Sequence, residues 1–116
     1  MSTTTIFSEL AVLDHEILNA NTMADASLQK ELFDLYFAHA PTNFAMMISA
    51  LEGGPASGWK EGAHALKGAA RTLGMTRLGE AAAVAEASGP SAERFKEVER
   101  SFAEAKNCVA AHLSQS

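Results

Sequence analysis

A single cysteine, Cys108, stands in this 116-residue chain, so no internal disulfide can form and no cysteine pair offers a zinc site. That usage fits a reducing interior, and a cytoplasmic location is expected. No stretch approaches the roughly 18 to 20 apolar residues of a membrane span, and the first residues lack the charged and apolar regions of a secretory signal. Positive charge is also scarce: 9 Lys and Arg face 14 Asp and Glu, for a net charge of −5. A general nucleic-acid binder needs a basic surface, so that class is set aside. Only three prolines occur, and Ala and Leu are plentiful, which favours helices over a many-turned β fold.

The chain length suits one domain, 1–116, large enough to bury a real core. Ile6, Leu10, Leu13 and Ile17 recur at helical spacing and predict a first helix over about 8–19, its stripe widened by Phe7 and Leu18. Asp25 or Ser27 can cap a long second helix that turns Leu28, Leu32, Leu35, Tyr36, Phe44, Met47, Ile48 and Leu51 to the core. Pro41 should kink or split it. Gly53-Gly54-Pro55 ends that helix, and Ser57 can cap a third reaching Leu73 or Gly74. Thr76 can cap a fourth to about Ala87, and Ser91 a fifth whose core residues are Phe95, Val98, Phe102, Ala105 and Val109. Short connections make neighbours antiparallel. The expected fold is all-α: an up-and-down four-helix bundle, about 25–113, with an additional N-terminal helix.

The third helix concentrates the chemistry. At about 100° per residue, Trp59, Ala63, Leu66, Ala70 and Leu73 share one narrow stripe. Lys60, His64, Lys67, Gly68 and Arg71 cluster on the outward side, with His64 near the centre. From Trp59 to Arg77 four basic residues stand against Glu61, a local +3 that leaves −8 for the rest of the −5 chain. Such a strip suits a phosphoryl group or other small anion. Gly68 costs a helix about 1 kcal/mol relative to alanine. Helical side chains lean towards the N-terminus, so any side chain there would lie across His64, and glycine leaves the approach open. The same lean carries the Lys67 ammonium towards the histidine.

On the fourth helix Leu78, Ala82 and Ala85 mark the buried stripe, and Glu86 falls at its edge. His64 and Glu86 stand equally far along the chain from Met75, so an antiparallel pair turning there puts them at one height. A carboxylate accepting the Nδ1 proton would leave Nε2 as the free nucleophile. His15, His39 and His112 are read as structural. Asp14-His15-Glu16 has poor metal-ligand spacing, and Met46 and Met47 as core fillers. Phe7, Ala11 and Leu18 give the first helix more apolar width than one contact needs, which suggests a partner-docking face together with Lys60 and Arg71.

The segment His64-Ala65-Leu66-Lys67-Gly68-Ala69-Ala70-Arg71-Thr72-Leu73-Gly74 resembles the His-x-x-Lys-Gly motif of the histidine phosphotransfer family, with its later glycine. The likeness extends over most of 25–90, from Leu32-Phe33 and Pro41 to Glu86, though Ala69 and Ala70 stand where many members carry serine. By that resemblance His64 would carry the phosphoryl group on Nε2, Lys67 would offset its charge, Gly68 would clear the way for a docking receiver domain and Glu86 would hold the ring. The implied role is a phosphorelay intermediate between receiver domains of response regulators or hybrid kinases. It would be a carrier without autokinase activity or a cofactor of its own, monomeric, with Mg2+ supplied by the receiver. The competing expectation is a bundle that docks on a receiver or kinase and sequesters it without carrying phosphate.

Overall fold

The computed structural model describes residues 10–115. Five helices follow one another: α1 (His15–Thr22), α2 (Ala26–Leu51), α3 (Ala56–Thr72), α4 (Thr76–Ser88) and α5 (Ala92–Ser114), with no strand among the described residues. Neighbours in sequence from α2 to α5 pack together, and α5 returns to α2. Cross-helix contacts descend on one element as they rise on the next. Tyr36 meets Leu66 while Asn43 faces Gly62, and Phe37 and Phe44 meet Phe102 and Phe95. The result is the antiparallel up-and-down bundle, with α1 laid across the end where α2 begins and α3 stops. No helix among the described residues is long and apolar enough to cross a membrane.

The core is built largely from the expected stripes. Met47, Trp59, Leu66, Leu78, Val98 and Val109 are buried, and so is Phe33, which the expected α2 stripe did not include. Phe44, Phe95 and Phe102, with Phe37 beside them, join α2 to α5 through edge-on ring contacts. Gly62 lets α2 and α3 approach closely, because a Cβ there would come 2.5 Å from the Asn43 carbonyl oxygen. Three residues of the expected apolar stripes stay outside it: Leu35 is 56% exposed, Ile48 41% and Ile17, on the first helix, 36%. An apolar stripe broader than one interface leaves its margins in solvent.

Several boundaries differ from the sequence reading. The first helix begins at His15, where the Asp14 side chain accepts from Ile17 N–H. Residues 10–14 instead form an irregular strap, which Arg77 holds through the carbonyls of Leu10 and Ala11. Phe7 lies outside the described residues. Helix α2 is continuous across Pro41: only one helical hydrogen bond is lost there, while buried Ala40 and Met47 hold the segments on either side. Asp25 and Ser91 cap α2 and α5 as expected. Ser57 and Thr76 do not act as caps, because α3 starts after Pro55 and α4 after Met75 without a side-chain cap. The Thr76 hydroxyl donates to the Gly74 carbonyl instead.

The α3–α4 turn is the junction on which the site depends. Gly74 adopts φ +81°, a left-handed conformation that costs other residues energy. Asp14 N–H donates to its carbonyl at 2.7 Å, and the Asn21 amide donates to the Thr72 carbonyl at 2.8 Å. Helix α1 and its strap thereby lock the turn that sets α3 against α4.

Candidate functional site

His64 lies midway along α3, opposite its buried face of Trp59, Ala63, Leu66 and Ala70. Its side chain is 67% exposed, whereas that of Glu86 on α4 is only 15% exposed. Glu86 Oε2 lies 3.0 Å from His64 Nδ1, and the other carboxylate oxygen accepts from Lys67 Nζ at 2.6 Å. One carboxylate thus bridges an imidazole and an ammonium. The antiparallel register across the locked turn brings these three side chains together.

The Lys67 hydrogen bond, and secondarily the bond from His64, hold the Glu86 carboxyl below the usual carboxylate range although its partial burial pushes the other way. At neutral pH Glu86 is therefore ionised and can only accept. Nδ1 must be the donor, which in a neutral imidazole leaves the Nε2 lone pair free. Because the folded value lies below the unfolded one, this ion pair contributes its full stability above the ordinary carboxylate pKa, and the contribution fades as pH falls through the lowered value. NMR titration of the Glu86 side-chain carboxyl carbon should give a midpoint below that of an exposed glutamate. A midpoint at or above it would contradict the bridging arrangement.

The cationic strip is weaker than the sequence tally suggests, for tertiary reasons. Lys67 is engaged with Glu86, and Arg71 approaches Glu80 at 3.5 Å. Arg77 turns away to the strap and to Glu104. Lys60 is exposed beside the site and makes no ion pair among the described residues. Gly68 is exposed in the turn after His64, and a Cβ there would meet nothing within 4 Å. No internal packing demands glycine at this position.

The first helix does not present the docking face that its apolar width suggested. Leu18 is fully buried, at 0% exposure, because it packs inward where α1 crosses the bundle. Ala11 is exposed but lies in the strap, its carbonyl occupied by Arg77 N–H. A feature not singled out in the sequence runs beside His64 instead. Between α2 and α3 lies a groove of about 610 Å³ bordered by Leu35, His39, Asn43, Ala65, Gly68 and Ala69. The sequence signal for it was an apolar margin on α2 next to the small residues of α3. Among the described residues no group of three or more His, Cys, Asp or Glu side chains converges to hold a metal ion.

A four-helix bundle that displays an exposed imidazole, oriented by a carboxylate and flanked by an ammonium, has the layout of a histidine-based carrier module. The Hpt domain family model matches residues 31–115, from α2 to α5, and the chain belongs to that family. Its members are phosphocarriers of histidine phosphotransfer in phosphorelays and interact with receiver domains. No curated protein and no solved structure matches the chain.

Proposed function

We propose that this chain accepts a phosphoryl group on His64 Nε2 from the phosphoaspartate of one receiver domain and passes it to the aspartate of another. The supporting observation is the bond between His64 Nδ1 and Glu86 at 3.0 Å, which directs the free Nε2 lone pair outward. In the forward step Nε2 attacks phosphorus in line, the N–P bond forms, the acyl O–P bond breaks, and its electron pair returns to the receiver's carboxylate. Nδ1 keeps its proton. The ring is then an imidazolium, whose positive charge the Glu86 carboxylate offsets, while Lys67, bound to the same carboxylate, is the cation assigned to the phosphoryl oxygens. The return step reverses these changes towards the second receiver. Mg2+, with its preference for carboxylate and phosphate oxygens, is assigned to the receivers, and the chain acts as a monomeric carrier with no kinase chemistry of its own.

The α2–α3 groove, with Leu35 at its margin, is the landing site for the receiver. Lys60 and Arg71 border the path to His64, and Gly68 admits the receiver's phosphorylated loop to Nε2. Gly68→Gln therefore has two opposed expected effects. Stability should rise by about 1 kcal/mol, since glycine is the poorer helix former, whereas transfer should slow by about a hundredfold because the donor is held off line. Denaturant unfolding and transfer kinetics on the same preparation check both. A slower rate accompanied by lost stability would mean that Gly68 serves packing, not access.

The reading as a whole is tested with a phosphorylated, radiolabelled receiver domain. Label should move to this chain in an acid-labile, alkali-stable form. Tight association with the receiver and no transfer of label would favour the sequestering module instead.

A further inference from the structure

Glu86 occupies the last turn of α4, which ends at Ser88, a place where helices ordinarily fray. Residues 80–88 read Glu-Ala-Ala-Ala-Val-Ala-Glu-Ala-Ser, so its contact face is nearly all alanine. Such a face offers few large side chains to fix how far α4 slides along α3. Yet the Glu86 carboxylate must meet His64 Nδ1 and Lys67 Nζ together. Something directional has to set that register.

The Trp59 indole supplies it. Trp59 is buried on α3, at 1% exposure, and its Nε1–H donates at 2.7 Å to the carbonyl of Ala85, the residue immediately before Glu86. That carbonyl is one of the C-terminal acceptors a helix leaves without an intrahelical donor. Ser88 Oγ also donates to it, at 3.1 Å, but from within the same turn, so it cannot tie α4 to α3. A buried indole N–H needs an acceptor in any case, and here the acceptor is adjacent to the residue that holds the histidine.

We infer that Trp59 is a positioning residue for phosphotransfer: its indole N–H pins the last turn of α4 so that Glu86 holds His64 in the Nδ1–H form. This rests on the reading of His64 as phosphoacceptor. It touches neither the phosphoryl group nor the reacting nitrogen, and acts through Glu86.

The test compares Trp59→Phe, replacement of Trp59 by benzothienylalanine, which keeps the bulk and lacks the N–H, and the control Ser88→Ala. In the unphosphorylated protein at neutral pH, 15N shifts of the His64 ring report the share of the Nδ1–H tautomer. That share should fall in both Trp59 variants and stay unchanged in Ser88→Ala. Transfer from a phosphorylated receiver should slow about threefold to tenfold, the factor corresponding to one net hydrogen bond. In a Glu86→Ala background the Trp59 replacements should slow it no further, since residues acting through one contact are not additive. An unaltered tautomer share in the folded benzothienylalanine protein would overturn the inference, as would an undiminished effect of Trp59 when Glu86 is absent. The tautomer measurement needs no phosphate. A wild-type chain that takes up no label, with a tautomer share that still depends on Trp59, would overturn the phosphoacceptor reading and leave the positioning role standing.

Discussion

His64→Gln is expected to take up no phosphoryl group while melting within about 3 °C of the parent chain. The separation of the two effects follows from where the side chain sits. His64 is two-thirds solvated, at 67% exposure, and Glu86 is its hydrogen-bond partner. Glutamine favours helices and can still offer an amide N–H towards that carboxylate, so little packing or charge compensation is lost. What disappears is the ring nitrogen whose lone pair attacks phosphorus, and a carboxamide nitrogen has no comparable nucleophilicity. Label transfer from a phosphorylated receiver measures the first effect and a thermal melt the second. Persistent acid-labile label in the variant would place the phosphoryl group elsewhere on the chain.

Gly74→Ala is expected to cost about 3 kcal/mol or more, lowering the melting temperature by about 10 to 20 °C. Part of this is conformational, since φ is +81° at this residue and the left-handed region costs an alanine about 1 to 2 kcal/mol. The rest is steric. A Cβ at this position would run into the Asp14 carbonyl oxygen and lie 3.3 Å from Leu18 N, so the strap and the start of α1 would have to move off the turn. That movement strains the Asp14 N–H to Gly74 bond and the Asn21 cap on Thr72. Gly68 and Gly74 thus serve opposite ends: replacing Gly74 harms the fold, whereas replacing Gly68 should strengthen the fold and harm access. Calorimetry of the two variants side by side checks the contrast, and a Gly74→Ala protein as stable as the parent would refute the locked turn.

The bundle was legible because its signals are local and repeated. Trp59, Ala63, Leu66 and Ala70 return at the helical period and are buried together, and a three-residue link between α3 and α4 leaves little choice but an antiparallel turn. The proximity of His64 and Glu86 follows from that turn by counting along the chain. What could not be read depends on contacts between distant residues. The start of α1 is displaced because Arg77, more than sixty positions away, recruits the Leu10 carbonyl. The charge of Arg71 and Arg77 is spent on Glu80 and Glu104, which a tally along the helix counts as available. Leu18 and Leu35 are equally apolar, yet one is interior and the other borders a groove. Periodicity shows that a stripe exists, and only packing shows how much of it is covered. Pro41 is a similar case, since its local penalty is fixed while the neighbours that outweigh it lie on other helices.

Glu86 is central to the transfer, because the same carboxylate sets the tautomer before it and offsets the ring charge after it. The most direct measurement is therefore NMR of the chain labelled with 15N in its histidine rings, taken after phosphorylation by a receiver domain. The expected result is 31P coupling to Nε2 of His64, with a proton retained on Nδ1. A phosphoryl group on Nδ1, or on any residue other than His64, would contradict it.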